Sequence, residues 1–177
     1  LMFATKETFV LAAGCLALAA VCTLMWGRWM EGQRLNLKSH LNFKHLAAAI
    51  TVALLVWLTL FTSFFTNASG PMDSLKTYLP WLHRAGGASP HIHPWDFYLR
   101  RLIFFHYPNG PIWTEALIVA LAAIGFICAL TRRWLGETNV TLVRVLAFYT
   151  TGLTLIYALI SYKTPWCLLN FFHGMIL

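Results

Sequence analysis

Histidines and arginines among aromatic residues are the side chains of this chain best suited to chemistry, and most of them lie in residues 91–101. His91 and His93 stand two residues apart, so in an extended segment both imidazoles point to the same face. Two imidazoles at this spacing can ligate a divalent metal with His83 or His106 as a third ligand, although no cysteine or carboxylate signature accompanies them. They can also bind a phosphate or a sugar hydroxyl, or hold the loop in shape through hydrogen bonds. The residues alone leave these three interpretations open.

A second candidate segment covers residues 161–166, where Lys163 precedes Thr164 and Pro165. Threonine is a good N-cap and proline a good first helical residue, so a helix is predicted to begin here with free N–H groups. An ammonium beside a helix N-terminus is typical of an anion site, while the other interpretation is that Lys163 only extends its charge to the membrane interface. Three further side chains lie on one stripe of the predicted helix, where they are suited to contact either a substrate or a neighbouring helix: Trp166, Asn170 and His173.

The elements that must position these residues are long and apolar. The chain is 59% hydrophobic and 11% charged, whereas soluble domains have about 45–50% and about 25%. A membrane-spanning helix needs about 20 mostly apolar residues. The sequence therefore predicts an all-α integral membrane protein, a polytopic helix bundle. The predicted spans are residues 8–26, 46–65, 112–131 and 145–162, with the start of a fifth at 164–177, so that residues 1–177 are expected to be part of one larger multi-span domain.

The long loop 66–110 is predicted to contain an amphipathic helix that lies in the membrane interface. Pro94 is suited to be its first residue, and apolar side chains follow at helical spacing. Those predicted to face inward are Trp95, Tyr98 and Leu102. Asp96 and Arg100 stand four residues apart and can form an ion pair on the polar face.

The distribution of basic residues predicts the orientation. They are denser in the segment 27–44 and in the connection with Arg132 and Arg133 than in loop 66–110. Because cytoplasmic connections carry the excess of Lys and Arg, those two are predicted to be cytoplasmic. Loop 66–110 and the turn at Lys163 are then predicted to be extracytoplasmic.

The net charge narrows the classes of binding partner, and the cysteine spacing bears on metal sites and disulfides. The net charge of +7 suits anionic membrane lipids or phosphates, and nothing resembles a nucleic-acid-binding module. The four cysteines have neither metal-ligand nor disulfide spacing, so they are interpreted as packing residues: Cys15, Cys22, Cys128 and Cys167.

Two short segments resemble a known family. Residues 93–99, His-Pro-Trp-Asp-Phe-Tyr-Leu, resemble the H-P-W-y-y-Y-L element of C-type membrane glycosyltransferases, the relatives of protein mannosyltransferases and aminoarabinose transferases in family 39. Residues 161–170 resemble the later Y-K-x-P-W-l-l-l-N segment of that family. The similarity runs over residues 61–177 and is closest to a prokaryotic subgroup, the flippase-activity-associated glycosylation proteins. Asp96 departs from the pattern, because the relatives usually carry an aromatic residue there.

The resemblance implies a chemistry at the outer face of a prokaryotic plasma membrane. Such enzymes move a sugar from a polyprenyl-phosphate donor to a protein, lipid or glycan acceptor, with a carboxylate as base and positive groups near the departing phosphate. The relatives keep the carboxylate in an early outer loop that this chain lacks, so the catalytic residue is expected outside it. No cofactor is required by this interpretation, with a divalent metal left open. The implied substrate-binding residues are Lys163, His91, His93, Trp95, Tyr98, Arg100, Arg101, Trp166 and Asn170.

Two other classes compete with a transferase. One is a non-catalytic or flippase-associated protein that binds a polyprenyl-phosphate sugar, and an upstream outer-loop carboxylate would distinguish the transferase from it. The other is an unrelated transporter, which would be expected to contain inverted repeats. No such repeat relates the first two predicted spans to the last two.

Overall fold

The computed structural model describes residues 8–32, 42–80 and 91–177, and most of them are helical. The first four helices in the described ranges are α1 (Phe9–Glu31), α2 (Phe43–Phe61), α3 (Gly70–Lys76) and α4 (Phe97–Ile103). A short hairpin of β1 (Phe105–His106) and β2 (Ile112–Trp113) then leads to α5 (Ala116–Thr131) and α6 (Val140–Leu159). A 3₁₀ turn, Pro165–Leu168, runs directly into the last helix, α7 (Leu169–Ile176).

Three helices in the described ranges, α1, α2 and α6, are long and apolar enough to cross a membrane. The prediction of a mostly helical membrane protein is thereby confirmed at this level. The predicted third span is wrong in its start, because Ile112 and Trp113 form β2. The helix that remains, α5, has 16 residues. At about 1.5 Å per residue it covers roughly 24 Å, less than the hydrocarbon thickness of about 30 Å.

Local capping sets helix ends that differ from the predicted span limits. The side chain of Asn42 accepts hydrogen bonds from the N–H groups of Lys44 and His45, so α2 begins before residue 46. Asn139 accepts from the N–H of Leu142 in the same way and starts α6 before residue 145. Gly32, in the left-handed conformation with φ 64°, ends α1 beyond the predicted residue 26.

The core lies between α1, α6 and α7, with α4 closing one end. Its buried residues include Cys15 of α1, Leu153 and Tyr157 of α6, and Phe171 of α7. Two α4 side chains join the same cluster, Tyr98 and Leu102. All four cysteines are free, as their spacing predicted.

The second helix lies apart from this core. It packs against α3, where the indole N–H of Trp57 donates to the Ser74 hydroxyl at 3.3 Å. Within the described part of the chain none of its residues is buried. Its apolar side chains are therefore available to lipid or to other helices.

The two ends of the α1–α6 bundle are distinct. At the arginine end, Arg144 at the start of α6 binds Glu31 at the end of α1, and Glu31 also lies 3.3 Å from Nε of Arg132. At the loop end, His93 N–H donates to the Ser161 carbonyl. The histidine segment and the Lys163 turn therefore meet at one end of the bundle, while the membrane sides of loop 66–110 and of segment 27–44 stay predictions. His83 and two basic residues of segment 27–44, Arg34 and Lys38, lie outside the described ranges.

We expect single cysteines at Asn109 and Glu137 to be labelled from opposite sides of the membrane. Both side chains are exposed, and they belong to the loop end and the arginine end. In a full chain whose four native cysteines are replaced, an impermeant thiol reagent should modify only the cysteine at 109 in intact cells. The cysteine at 137 should react only after permeabilisation. Labelling of both positions in intact cells would contradict this arrangement.

Candidate functional site

The two polar segments singled out in the sequence lie directly against each other. The N–H of His93 donates to the Ser161 carbonyl at 3.1 Å, and the N–H of Lys163 donates to the His91 carbonyl at 2.8 Å. Between these bonds, Ile92 and Tyr162 form an antiparallel bridge. Residues far apart in sequence are thus joined by backbone hydrogen bonds at the loop end.

Lys163 is almost fully buried, with 1% exposure. Its ammonium donates to the carbonyls of Tyr157 at 3.3 Å, Ala158 at 2.7 Å and Ile160. These are carbonyls at the end of α6, which lack partners within the helix. Burial lowers the pKa of the Lys163 ammonium below its usual value. The expectation that this ammonium faces outward beside a helix N-terminus is therefore wrong, because the end of α6 lies closer and attracts it.

The helix predicted after Lys163 does begin at Pro165, but its first turn is a 3₁₀ turn and not an α-helical one. Pro165 starts a 3₁₀ turn, and the α-helix follows from Leu169. The hydroxyl of Thr164 caps no backbone N–H; it lies 3.1 Å from the Cys167 sulfur. Thr164 itself is buried, with 4% exposure.

Tyr98 connects the interfacial helix to this turn. It is 3% exposed, and its hydroxyl donates to the Thr164 carbonyl at 3.1 Å. Its ring meets the edge of Phe171 with centroids 5.6 Å apart. Burial raises the pKa of the Tyr98 hydroxyl well above its usual value, so it keeps its proton and donates throughout the physiological range. The inward orientation predicted for Tyr98 and Leu102 is confirmed.

Trp95 does not follow that pattern. It is 65% exposed, and the prediction that it faces inward is wrong. The helix begins at Phe97 rather than at Pro94, because residues 94–96 form a turn in which the Phe97 N–H donates to the Pro94 carbonyl. The helical spacing from Trp95 to Tyr98 therefore does not exist in the structure.

The histidines and Arg101 are held by aromatic rings. His93 stacks on Phe97 at 4.1 Å between centroids, and the guanidinium of Arg101 lies 4.6 Å from the ring centroids of both Phe97 and Phe105. His91 meets the Tyr162 ring edge-on at 5.4 Å. The stack of His93, Phe97, Arg101 and Phe105 joins an imidazole and a guanidinium into one rigid surface.

The predicted pair of Asp96 and Arg100 is present, with Nε of Arg100 2.6 Å from Oδ2 of Asp96. Asp73 accepts hydrogen bonds from Ser69 and Lys76, and the Ser69 bond contributes most to holding the pKa of Asp73 below its usual value. Both carboxylates are thus engaged by neighbouring donors. Within the described ranges no three His, Cys, Asp or Glu side chains lie together as a metal site, and His83 lies outside those ranges.

The stripe on the last helix separates into different roles. The amide of Asn170 donates to the Tyr157 hydroxyl at 3.0 Å. Asn170 therefore makes the contact with a neighbouring helix that was the alternative to a substrate contact. Trp166 is 60% exposed near the loop end, and His173 is also exposed. Asn170 is exposed as well, although its amide is already hydrogen-bonded to Tyr157.

Sequence reasoning missed the β-hairpin and the aromatic partners. β1 and β2 pair antiparallel, and the connecting turn is closed by a hydrogen bond from the Gly110 N–H to the Tyr107 carbonyl. The dipeptide Asn109-Gly110 is a signal that could have revealed this turn. The hairpin exposes large apolar side chains at the loop end, Tyr107, Ile112 and Trp113.

Comparison with known proteins adds no relative. No protein-family model matches the chain, and searches of curated proteins and of solved structures find nothing similar. The resemblance to membrane glycosyltransferases therefore rests on the two short segments that meet at the loop end.

Proposed function

We propose that this chain is part of a membrane glycosyltransferase-like protein that binds a polyprenyl-phosphate-linked sugar at the outer face of a prokaryotic plasma membrane. The observation that carries the proposal is the contact between the two segments of the resemblance. His93 lies in the first segment and Lys163 in the second, and the backbone bonds at both residues bring the segments into one site. Segments that bind one substrate must meet in this way, whereas two chance likenesses need not.

The chemistry of the exposed and half-buried side chains suits the head of such a donor. Arg100 and Arg101 supply guanidinium groups, which bind phosphate through paired N–H donors. Arg101 is already held between Phe97 and Phe105, so little side-chain freedom is lost on binding. Exposed indoles belong to the same end and are suited to a sugar face or to the headgroup layer: Trp95, Trp113 and Trp166.

In the proposed reaction the acceptor hydroxyl oxygen attacks the anomeric carbon of the sugar. The bond from that carbon to the phosphate oxygen breaks, and polyprenyl phosphate leaves with the electron pair. The acceptor proton passes to a carboxylate base, and cationic side chains stabilise the phosphate as it leaves. Asp73 and Asp96 are engaged with Lys76 and Arg100, so we assign the base to neither.

A second candidate function is binding of the same lipid without catalysis, as in a flippase-associated protein. The state of Asp73 favours it, because hydrogen bonds from Ser69 and Lys76 hold the pKa of its carboxyl below the usual value and so make it a weaker base. Membranes that contain the full chain, given a radiolabelled polyprenyl-phosphate hexose, separate the two candidates. A transferase moves the label into protein or glycan and releases polyprenyl phosphate. A binding protein retains the intact donor.

Replacing Arg101 with glutamine is expected to weaken binding of a polyprenyl-phosphate hexose to the full chain. A charge-assisted hydrogen bond contributes about 1.5–3 kcal/mol, so the loss should be about 10- to 150-fold. Lysine at this position keeps the charge and should recover part of the affinity. Binding to purified protein in nanodiscs, measured by microscale thermophoresis, gives the affinities.

The matched control for this experiment is Arg133→Gln, which removes the same charge from an exposed residue after α5. Its donor affinity should stay within about twofold of the unchanged chain, since exposed charges beyond a Debye length of about 8–10 Å are largely screened. Equal losses at Arg101 and Arg133 would mean a general attraction to anionic lipid. No loss at Arg101 would place the phosphate elsewhere.

A further inference from the structure

Lys163 connects three parts of the loop end at once. Its side chain contacts the end of α6, its backbone N–H binds His91, and its ammonium lies 5.9 Å from the centroid of the Tyr98 ring. The turn that contains it packs beneath the segment that carries the histidines. A residue with these contacts can control where the histidine segment lies.

We propose that Lys163 is a positioning residue that holds the histidine segment, residues 91–93, in place and does not itself touch the phosphate. For the identity of the ligand this inference rests on the proposed function, but the positioning itself does not. The substrate contacts then come from the groups that the turn places, which include His93 and the arginines of α4.

The number of donors supports a positioning role. An ammonium has three N–H donors, and the Lys163 ammonium has three carbonyl partners, those of Tyr157, Ala158 and Ile160. With 1% exposure, no side of the ammonium faces a ligand. A phosphate could reach it only after these bonds break.

The need for those bonds follows from the way α6 ends. The backbone at Ile160 is extended, with φ −65° and ψ 121°, so the chain leaves the helix there and the last carbonyls face no further turn. Carbonyls that are buried away from water require a partner from the protein. Lys163 supplies it from three residues farther on, which bends residues 160–163 back over the helix end.

That bend creates the edge on which the histidine segment docks. Ser161 and Lys163, on either side of Tyr162, provide the two backbone bonds to His93 and His91. If the ammonium were removed, the bend would lose its anchor and the docking edge would lose its shape. We therefore expect the positions of His91 and His93 to depend on Lys163.

The bridge between Ile92 and Tyr162 offers a direct test. The flanking hydrogen bonds make these residues a non-hydrogen-bonded antiparallel pair, for which the Cα atoms lie about 4.5 Å apart. That separation is within the range of a disulfide. In a full chain without native cysteines, Ile92→Cys with Tyr162→Cys should therefore crosslink under mild oxidation.

The test compares Lys163 and Lys163→Met in this double-cysteine background. The methionine variant should crosslink at least about 10-fold more slowly, because hydrogen bonds from a charged donor are lost. In its reduced form it should bind polyprenyl phosphate in nanodiscs about 10-fold more weakly than the matched lysine protein. Once the disulfide is formed, its affinity should return to within about twofold, because the crosslink replaces the anchor. Lys163→Arg keeps the charge in a different shape; it should lie between the two and replaces the methionine variant if that variant does not fold.

Two results would overturn the proposal. The first is equal crosslinking with lysine and methionine. The second is a crosslinked methionine protein that still binds polyprenyl phosphate weakly, which would assign Lys163 a direct contact. If the unchanged chain binds no polyprenyl phosphate, the proposed function fails, and the crosslinking rates alone decide whether Lys163 positions the histidines.

Discussion

Replacing Arg144 with methionine is expected to lower the free energy of unfolding of the helix bundle by about 3–5 kcal/mol, as when one partner of a buried ion pair is removed. Arg144 is 3% exposed, and its guanidinium donates to the carbonyls of Ala129 at 2.8 Å and Leu130 at 3.2 Å and to Glu31. Methionine fills similar space but offers no donor. Two carbonyls at the end of α5 and the Glu31 carboxylate would lose their main partner.

The measurement is unfolding of the purified full chain in mixed micelles with increasing denaturing detergent. The matched control is Arg133→Met, an exposed arginine whose replacement should change stability by about 0.5 kcal/mol or less. Glu31→Gln keeps a carbonyl oxygen for Arg144 and should have an intermediate effect. Equal effects of the changes at Arg144 and Arg133 would show that the arginine end does not hold the bundle together.

Replacing Tyr98 with aspartate is expected to have the second large effect, several kcal/mol, because it places an unpaired charge in the core. Tyr98 lies within the cluster that contains Leu102, Tyr157 and Phe171. Tyr98→Phe keeps the ring and loses only the hydrogen bond to Thr164, so it should cost about 1 kcal/mol. The same detergent titration measures both.

The control on the same helix is Arg100→Gln. The Arg100 side chain is 76% exposed, and an exposed ion pair such as that with Asp96 contributes about 1 kcal/mol or less. The stability loss should therefore be largest for Tyr98→Asp and smaller for Tyr98→Phe. The loss for Arg100→Gln should be no larger than that for Tyr98→Phe. Similar losses for Tyr98→Asp and Arg100→Gln would mean that α4 does not close the core.

The parts of this structure that the sequence predicted depend on local periodicity. Hydropathy over about twenty residues is enough to find α1, α2 and α6, because the membrane demands that length. Four-residue spacing was enough to pair Asp96 with Arg100 and to turn Tyr98 and Leu102 inward. These features require no knowledge of other elements.

The parts that the sequence did not predict depend on where elements end and on what lies nearby. Trp95 is exposed because the helix begins two residues after it. Lys163 faces inward because α6 ends close enough for the ammonium to reach three carbonyls. The pattern of residue types around Lys163 does not reveal that distance. The glycosyltransferase interpretation remains a proposal that rests on two short segments.

The starts of α2 and α6 carry a signal in the sequence that the span predictions did not use. Asn42 and Asn139 cap α2 and α6, and asparagine before an apolar run is a recognised start signal. The span predictions used the absence of charge and so began each helix after Lys44 and Arg144. Charged residues within the first turns of a membrane helix are compatible with the helix when they point to the interface or pair inside the bundle.

The contact of Arg144 with α5 also bears on how the protein is made. During synthesis α5 emerges before α6, and alone it is a short helix whose last carbonyls, those of Ala129 and Leu130, still lack their partner. Arg144 belongs to the first turns of α6, so the partner arrives only with the next helix. The end of α5 is therefore completed only in the helical hairpin of α5 and α6, and not in α5 by itself.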